Sequence, residues 1–210
     1  MRVRTHQEKS YSRAYTFGMK ATWWLAHHQR HLEVDIGFLF CGSSGALRDK
    51  IFRALDLLAS AYPQCFARLR RDTLGILIMP LGAAIGKFFP PLKLCCLDEK
   101  YVSKDSTLAD LIAATLVHEA THAHLYGIGI GYPDPIRLRI ERLGHRRELW
   151  FGKRIGSQDV CKRAENYLQQ PDFFWDREAR KARWLHTLKE YQITGWVEKL
   201  FKYLIEKRGA

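Results

Sequence analysis

Leu116-Val117-His118-Glu119-Ala120-Thr121-His122 is the stretch that decides how the rest of the chain is read. On a helix, residues four apart lie a turn apart on one face, so His118 and His122 project together. Two imidazoles so placed can share one Zn²⁺, with each nitrogen ~2.0–2.1 Å from the ion. Glu119 falls about 100° round the helix from His118, beside such an ion but not aimed at it. That is where a base acting on water at the metal belongs. The plain alternatives are a surface helix with two solvated histidines, or a core helix whose histidines are satisfied by protein groups.

The flanks favour burial. Thr107-Leu108-Ala109-Asp110 reads as a capping box, with Thr107 as N-cap and Asp110 at N3. The run to Tyr126 contains no Gly or Pro, and Gly127 supplies a stop. Leu111, Thr115, His118, His122 and Leu125 form one stripe, and Ile112, Leu116 and Ala123 lie on another side. A helix that is apolar nearly all round is expected inside the protein. Buried histidines need partners, and one metal ion satisfies two of them.

A third ligand is expected downstream. Tyr132-Pro133-Asp134-Pro135 signals a second helix start, with Asp134 as N-cap and Pro135 at N1. The helix should run from Pro135 to about Ile155. Glu141 lies at the centre of a face with Leu138, Ile140, Leu149, Phe151 and Ile155, and Gly144 and Gly152 there would admit a close neighbour. Arg139, Arg142, Arg146, Lys153 and Arg154 occupy the opposite, solvated side. A carboxylate on an apolar face is costly unless it is compensated. The short connection from Gly127 to Pro133 predicts antiparallel packing of the two helices. His122 then sits about 6 Å from the end of the first helix and Glu141 about 9 Å into the second, so the two can meet. His145 and Glu148 share the Glu141 face, one and two turns on. Either is an alternative ligand, or a group that orients a ligand. A buried salt bridge from Glu141 to an arginine is the remaining alternative.

This arrangement resembles the zincin (HExxH) metallopeptidases, in the small gluzincin-like branch where a Glu on a following helix completes the site. The resemblance rests on His118, Glu119, His122 and Glu141 and covers roughly residues 92–155. It implies that His118, His122 and Glu141 bind one zinc ion and that Glu119 is the general base and acid in hydrolysis of a peptide or protein amide. The Gly-x-x-His continuation of the metzincins is absent, since Ala123-His124-Leu125-Tyr126-Gly127 follows His122. His124 points away from the His118/His122 face and reads as structural. Tyr126, Tyr132 and His145 are the candidates for steadying an oxyanion. The implied fold is α+β: a small mixed or antiparallel sheet, the motif helix, then a mostly helical C-terminal half. Leu92 to Leu97 would be the edge strand above the cleft, where a peptide adds backbone to backbone.

The 210 residues suffice for one domain with a real core. The expected organisation is a sheet-containing part over residues 1–106, the two motif helices over 107–156 and a helical part over 157–210. Formal charge is +12, which favours acidic partners, including nucleic acid or an anionic membrane surface. No helix-turn-helix, zinc finger or other nucleic-acid module is present. A non-catalytic, zinc-stabilised basic binding protein is therefore the alternative to an enzyme. In that case a fourth protein ligand, His145 or Glu148, would close the site.

Cys41, Cys65, Cys95, Cys96 and Cys161 form no CxxC pair and read as buried thiols rather than a disulfide framework. Residues 1–13 lack the apolar core of a signal peptide, and no run reaches the ~18 apolar residues of a membrane span. Cytoplasmic residence is the default expectation, with signal-less secretion left open. Thr16 to His31 is expected to be one amphipathic helix with its aromatics packed and its histidines at the surface. Val34 to Phe40 alternates as a strand. Gly42-Ser43-Ser44-Gly45 is a turn without the residues of a phosphate loop. Leu47, Ile51, Leu55, Leu58 and Tyr62 form a helical stripe ending at Pro63. Leu74–Met79 and Leu92–Leu97 are two further strands, with Phe88-Phe89-Pro90-Pro91 an ordered loop near the site. Ser157 should cap a helix to Gln170, with further helices from Pro171-Asp172 to about Gln192 and from Thr194 onward.

Overall fold

Five short strands pair into one sheet in the computed structural model, which describes residues 13–39, 45–82, 84–132, 134–171 and 182. The chain runs α1 (Arg13–Leu25), β1 (His27–His31), β2 (Val34–Phe38), α2 (Gly45–Ala61), α3 (Pro63–Asp72), β3 (Gly75–Met79), β4 (Gly86–Phe89), a 3₁₀ turn (Pro90–Leu92), β5 (Leu94–Asp98), α4 (Glu99–Ser103), α5 (Ala109–Gly127), α6 (Asp134–Ile155) and α7 (Gln158–Leu168). The strand order is β1-β2-β3-β5-β4. The inner strands β2, β3 and β5 are parallel, while β1 and β4 pair antiparallel at the two edges. The fold is thus α+β with a mixed sheet and helices from α4 onward.

Period-two alternation sorts the sheet's side chains to two faces. Ile36, Phe38, Ile76, Ile78, Cys95 and Leu97 pack with residues of α2, α3 and α5 in the main core. Leu77, Leu94 and Cys96 face the other way, toward Met19 and Trp23 of α1. The vicinal Cys95 and Cys96 therefore lie in different layers, as their strand requires. α5 is buried without interruption from Ile112 to Thr121, which places the motif against the sheet's main-core face.

Several local expectations give way. His27 to His31 is a strand, not the end of a helix. Its side chains are mostly exposed, so it carries no apolar period to read, and its ladder with β2 decides the conformation. The two-residue turn joining β1 and β2 puts Leu32 and Glu33 at positive φ, as such a turn demands even without Gly or Asn. Leu94–Asp98 is an inner strand, so the predicted edge role of Leu92–Leu97 is wrong. The edge is β4, and Phe88 and Phe89, expected in a loop, belong to it. The capping box at Thr107 also fails: Leu108 is the N-cap and makes no side-chain bond. Asp110 instead bonds the Leu111 N–H and the Ser157 hydroxyl.

α5 ends at Gly127, but the residue that turns the chain lies two positions on. Gly129, not Gly127, takes the left-handed conformation. The Gly129 N–H bonds the Tyr126 carbonyl and the Ile130 N–H bonds that of Leu125, a Schellman ending. α3 is absent from the sequence expectations, although Pro63 in its first turn, the Cys65, Phe66 and Leu69 stripe, and Arg70 and Arg71 in its last turn mark it. Ser157 does cap α7, accepting from the Val160 N–H. The helices expected after residue 171 and the strand end at Phe40 lie outside the described residues. Among the described residues no helix is long and apolar enough to cross a membrane.

Candidate metal centre

α5 and α6 bring the motif residues to one place. His118 and Glu119 are buried and His122 and Glu141 nearly so. Glu141 Oε2 lies 3.2 Å from His118 Nε2 and 3.8 Å from His122 Nε2. Three donors sharing one tetrahedral zinc, each ~2.0–2.2 Å away, stand about 3.3 Å apart. The 3.2 Å spacing matches that figure, the 3.8 Å one exceeds it by about half an ångström, and all three donor atoms lie within 4.8 Å of one another. Gly144 permits the approach: a Cβ there would meet the His118 ring at 2.7 Å. Gly152, on the same side of α6, likewise admits Val160 and Cys161 of α7.

The two other residues on the α6 face lie on the opposite side of His118. Glu148 Oε1 is 2.6 Å from His118 Nδ1 and 2.9 Å from His145 Nδ1. The 2.6 Å spacing is that of a strong hydrogen bond and too short for two ligands of one ion. The His118 ring therefore works at both ends. Nδ1–H donates to Glu148 and Nε2–H to Glu141 Oε2, the two bonds of a protonated imidazole; once the Nε2 proton leaves, its lone pair faces His122 and Glu141. His118, His145 and Glu148 also lie close enough together to hold an ion, but the 2.6 Å contact fits Glu148 as a hydrogen-bond partner of His118 better than as a co-ligand. His145 stacks on Tyr167 at 4.5 Å and also stays out of the Nε2-side group. Among the described residues that group has three protein donors: His118, His122 and Glu141.

Charge points to a divalent ion. Glu119, Glu141 and Glu148 are three carboxylates in one low-dielectric cluster, and Arg163 is the guanidinium bonded to it, 3.0 Å from Glu148 Oε2. With Glu119 ionised, one cation against three anions leaves two negative charges, which one divalent ion would balance with neutral histidines; with Glu119 protonated the surplus is one. Without an ion, protons must do part of this. Burial disfavours charge on His118, but hydrogen bonds to Glu141 and Glu148 outweigh it and raise its pKa well above the ordinary value. Burial, together with charge on His118, takes His122 down to about 3. Burial favours the neutral forms of Glu141 and Glu148, yet bonds to His118 hold both below the ordinary carboxylate range.

Glu119 differs from its neighbours. Burial lifts its pKa to about 7, aided by Glu141 and opposed by the His118 charge and by the Phe88 backbone N–H. The same carboxylate crowds Gly86 of β4, where a Cβ would lie 2.9 Å from Glu119 Oε1. Of the oxyanion candidates, Tyr132 is edge-on to His122 at 5.0 Å and carries the Arg137 guanidinium 4.1 Å above its ring. Tyr126 packs on Phe88 instead. His124 bonds Asp72 of α3, a structural tie. The sequence reading missed Gly86, the Phe88 N–H, Arg137 and Arg163. Only Arg163 left a signal, a cation in register with Val160, Ala164 and Tyr167 on the inner stripe of α7. No protein-family model matches the chain, and neither a curated protein nor a solved structure matches it.

Proposed function

We propose that this chain is a zinc-dependent, zincin-like hydrolase that cleaves a peptide or protein amide bond. The observation that carries the reading is the three-donor group His118, His122 and Glu141, to which no fourth protein donor belongs among the described residues. A buried carboxylate tuned to about 7 stands beside it. A zinc ion bound there supplies a Lewis acid and brings the pKa of water toward ~7. Glu119 accepts a proton from the attacking water and later delivers it to the leaving nitrogen. A pKa near the working pH suits both transfers. The Phe88 N–H holds the Glu119 carboxylate in place. Tyr132 and Arg137 border the His122 side, where negative charge on a substrate oxygen would be met.

β4 is the sheet edge, and α5 packs along it. An extended peptide adding to that edge would lie next to the base. A purely structural zinc site would be closed by a fourth protein ligand, and the sequestering of Glu148 and His145 behind His118 speaks against that alternative. The test is Glu119→Gln assayed with zinc analysis and a mixed fluorogenic peptide library. The expected result is zinc at the wild-type level with turnover reduced at least about a thousandfold. Undiminished peptide cleavage by the zinc-loaded Gln variant would refute Glu119 as the base.

A further inference from the structure

We propose that Arg163, on α7, is a positioning residue of this centre: by gripping Glu148 it decides which nitrogen of His118 is left to the metal. The inference rests on the metal reading above and extends the centre to a third helix. Glu148 divides its two oxygens. Oε2 accepts from Arg163 Nη2 at 3.0 Å, and Oε1 faces His118 Nδ1 at 2.6 Å. Oε1 also stands 2.9 Å from His145 Nδ1, so two imidazoles compete for one oxygen. A carboxylate pinned only at Oε1 could turn toward either ring. The guanidinium on Oε2 removes that freedom.

Arg163 is itself held from the far side. Its Nη1 donates to the Tyr101 hydroxyl at 2.6 Å and to Thr115 Oγ1 at 3.2 Å. Its Nε–H is buried with no hydrogen-bond partner among the described residues. An orphaned buried donor costs stability, so the side chain is not arranged to saturate its bonds. It is arranged to bridge, with Nη2 on Glu148 and Nη1 on Tyr101 and Thr115, a span of fixed planar donors that Lys cannot supply. α7 is docked to make this accurate. Ser157 bonds Asp110 at the start of α5, Gly152 lets Val160 and Cys161 approach α6, and Tyr167 stacks on His145. A neutral imidazole has one N–H. Fixing it at Nδ1 commits Nε2 to the ion.

The competing explanation is a buried ion pair that only ties α7 to α5 and α6. Arg163→Met, Arg163→Lys and Tyr101→Phe separate the two. Each full-length variant is titrated with zinc against a chromophoric chelator, and His118 ¹⁵N shifts are recorded in the zinc-loaded form. Arg163→Met should weaken zinc by about tenfold or more and mix Nδ1 with Nε2 ligation at His118. Arg163→Lys should restore only part of the affinity. Tyr101→Phe removes one of the two holds on Nη1 while Nη2 still grips Glu148, so it should weaken zinc less than Arg163→Met does. Wild-type affinity and an unchanged His118 spectrum in folded Arg163→Met would overturn the proposal. If that variant does not fold, wild-type affinity in Arg163→Lys overturns it equally. A wild type that binds no zinc would instead overturn the metal reading itself, and this proposal with it.

Discussion

Gly144→Ala is a sensitive probe of the packing that builds the centre. In a solvated helix interior this change stabilises by about 0.5–1 kcal/mol, because Gly loses more backbone freedom on folding. Here the new Cβ would lie 2.7 Å from His118 Cε1 and Nδ1. That is about 0.7 Å short of the 3.4 Å at which ordinary contact begins. The His118 ring cannot swing aside freely, because Glu148 and Glu141 hold both of its nitrogens. Overpacking of this kind costs about 1–3 kcal/mol, so the clash should outweigh the gain from helix propensity. In a His118→Ala background the obstacle is gone and the same change should become stabilising. The coupling between the two sites, measured by urea unfolding of metal-free protein in a double-mutant cycle, is expected at about 1–3 kcal/mol. Zinc affinity of Gly144→Ala, read by chelator competition, should fall at least about tenfold through displacement of one ligand. Equal effects of Gly144→Ala in both backgrounds, with zinc affinity intact, would refute the claim that α6 is packed on His118.

The metal-free protein should lose stability as pH rises from about 6 to 8. Both His118 and Glu119 have folded-state pKa values above their ordinary ones, so the native state holds protons that the unfolded chain has released; His122, held down to about 3, opposes this near pH 6 and drops out as its unfolded imidazole deprotonates. At the acid end the order reverses: Glu141 and Glu148 are held low, so stability falls as pH drops below about 4.5. Zinc must displace the His118 proton, so calorimetric titration in buffers of different ionisation enthalpy should show proton release on binding and an affinity that rises with pH. No release at pH 7 would contradict the charge balance described above. Burial drives the thiols of Cys65 to about 11, Cys96 to about 12 and Cys95 well above its ordinary value. These three should resist iodoacetamide at pH 8 in native protein and react once it is denatured, while half-exposed Cys161 is alkylated first among the four described. Rapid native labelling of Cys95 on peptide mapping would contradict the packing of β5.

The centre was legible because helical period alone puts His118 and His122 on one face and Glu141 in the middle of an apolar one. The short α5–α6 connection then leaves little choice of partner. The role of Glu148 stayed open at that level, since period places it with Glu141 but cannot say which side of the His118 ring it meets. The sheet was less readable at its edges. β1 is mostly exposed and polar, so its conformation follows from pairing with β2 and not from any pattern of its own. β4 is four residues long, and its aromatics precede two prolines that mimic a loop. Which strand is outermost depends on crossovers that no local signal records. The cap of α5 failed for a related reason: Asp110 found a partner in Ser157, far along the chain, and the local box was not formed. Arg163 meets Glu148 only because α7 folds back on α6, so its role emerges at the tertiary level.

The most direct measurement is the zinc content of purified protein, by elemental analysis after extensive dialysis, for wild type, His118→Ala, His122→Ala and Glu141→Ala. The account predicts one zinc ion per wild-type chain and its loss in each of the three variants with helical content preserved. A wild-type chain that neither carries nor takes up zinc, or full occupancy in folded His122→Ala, would contradict it.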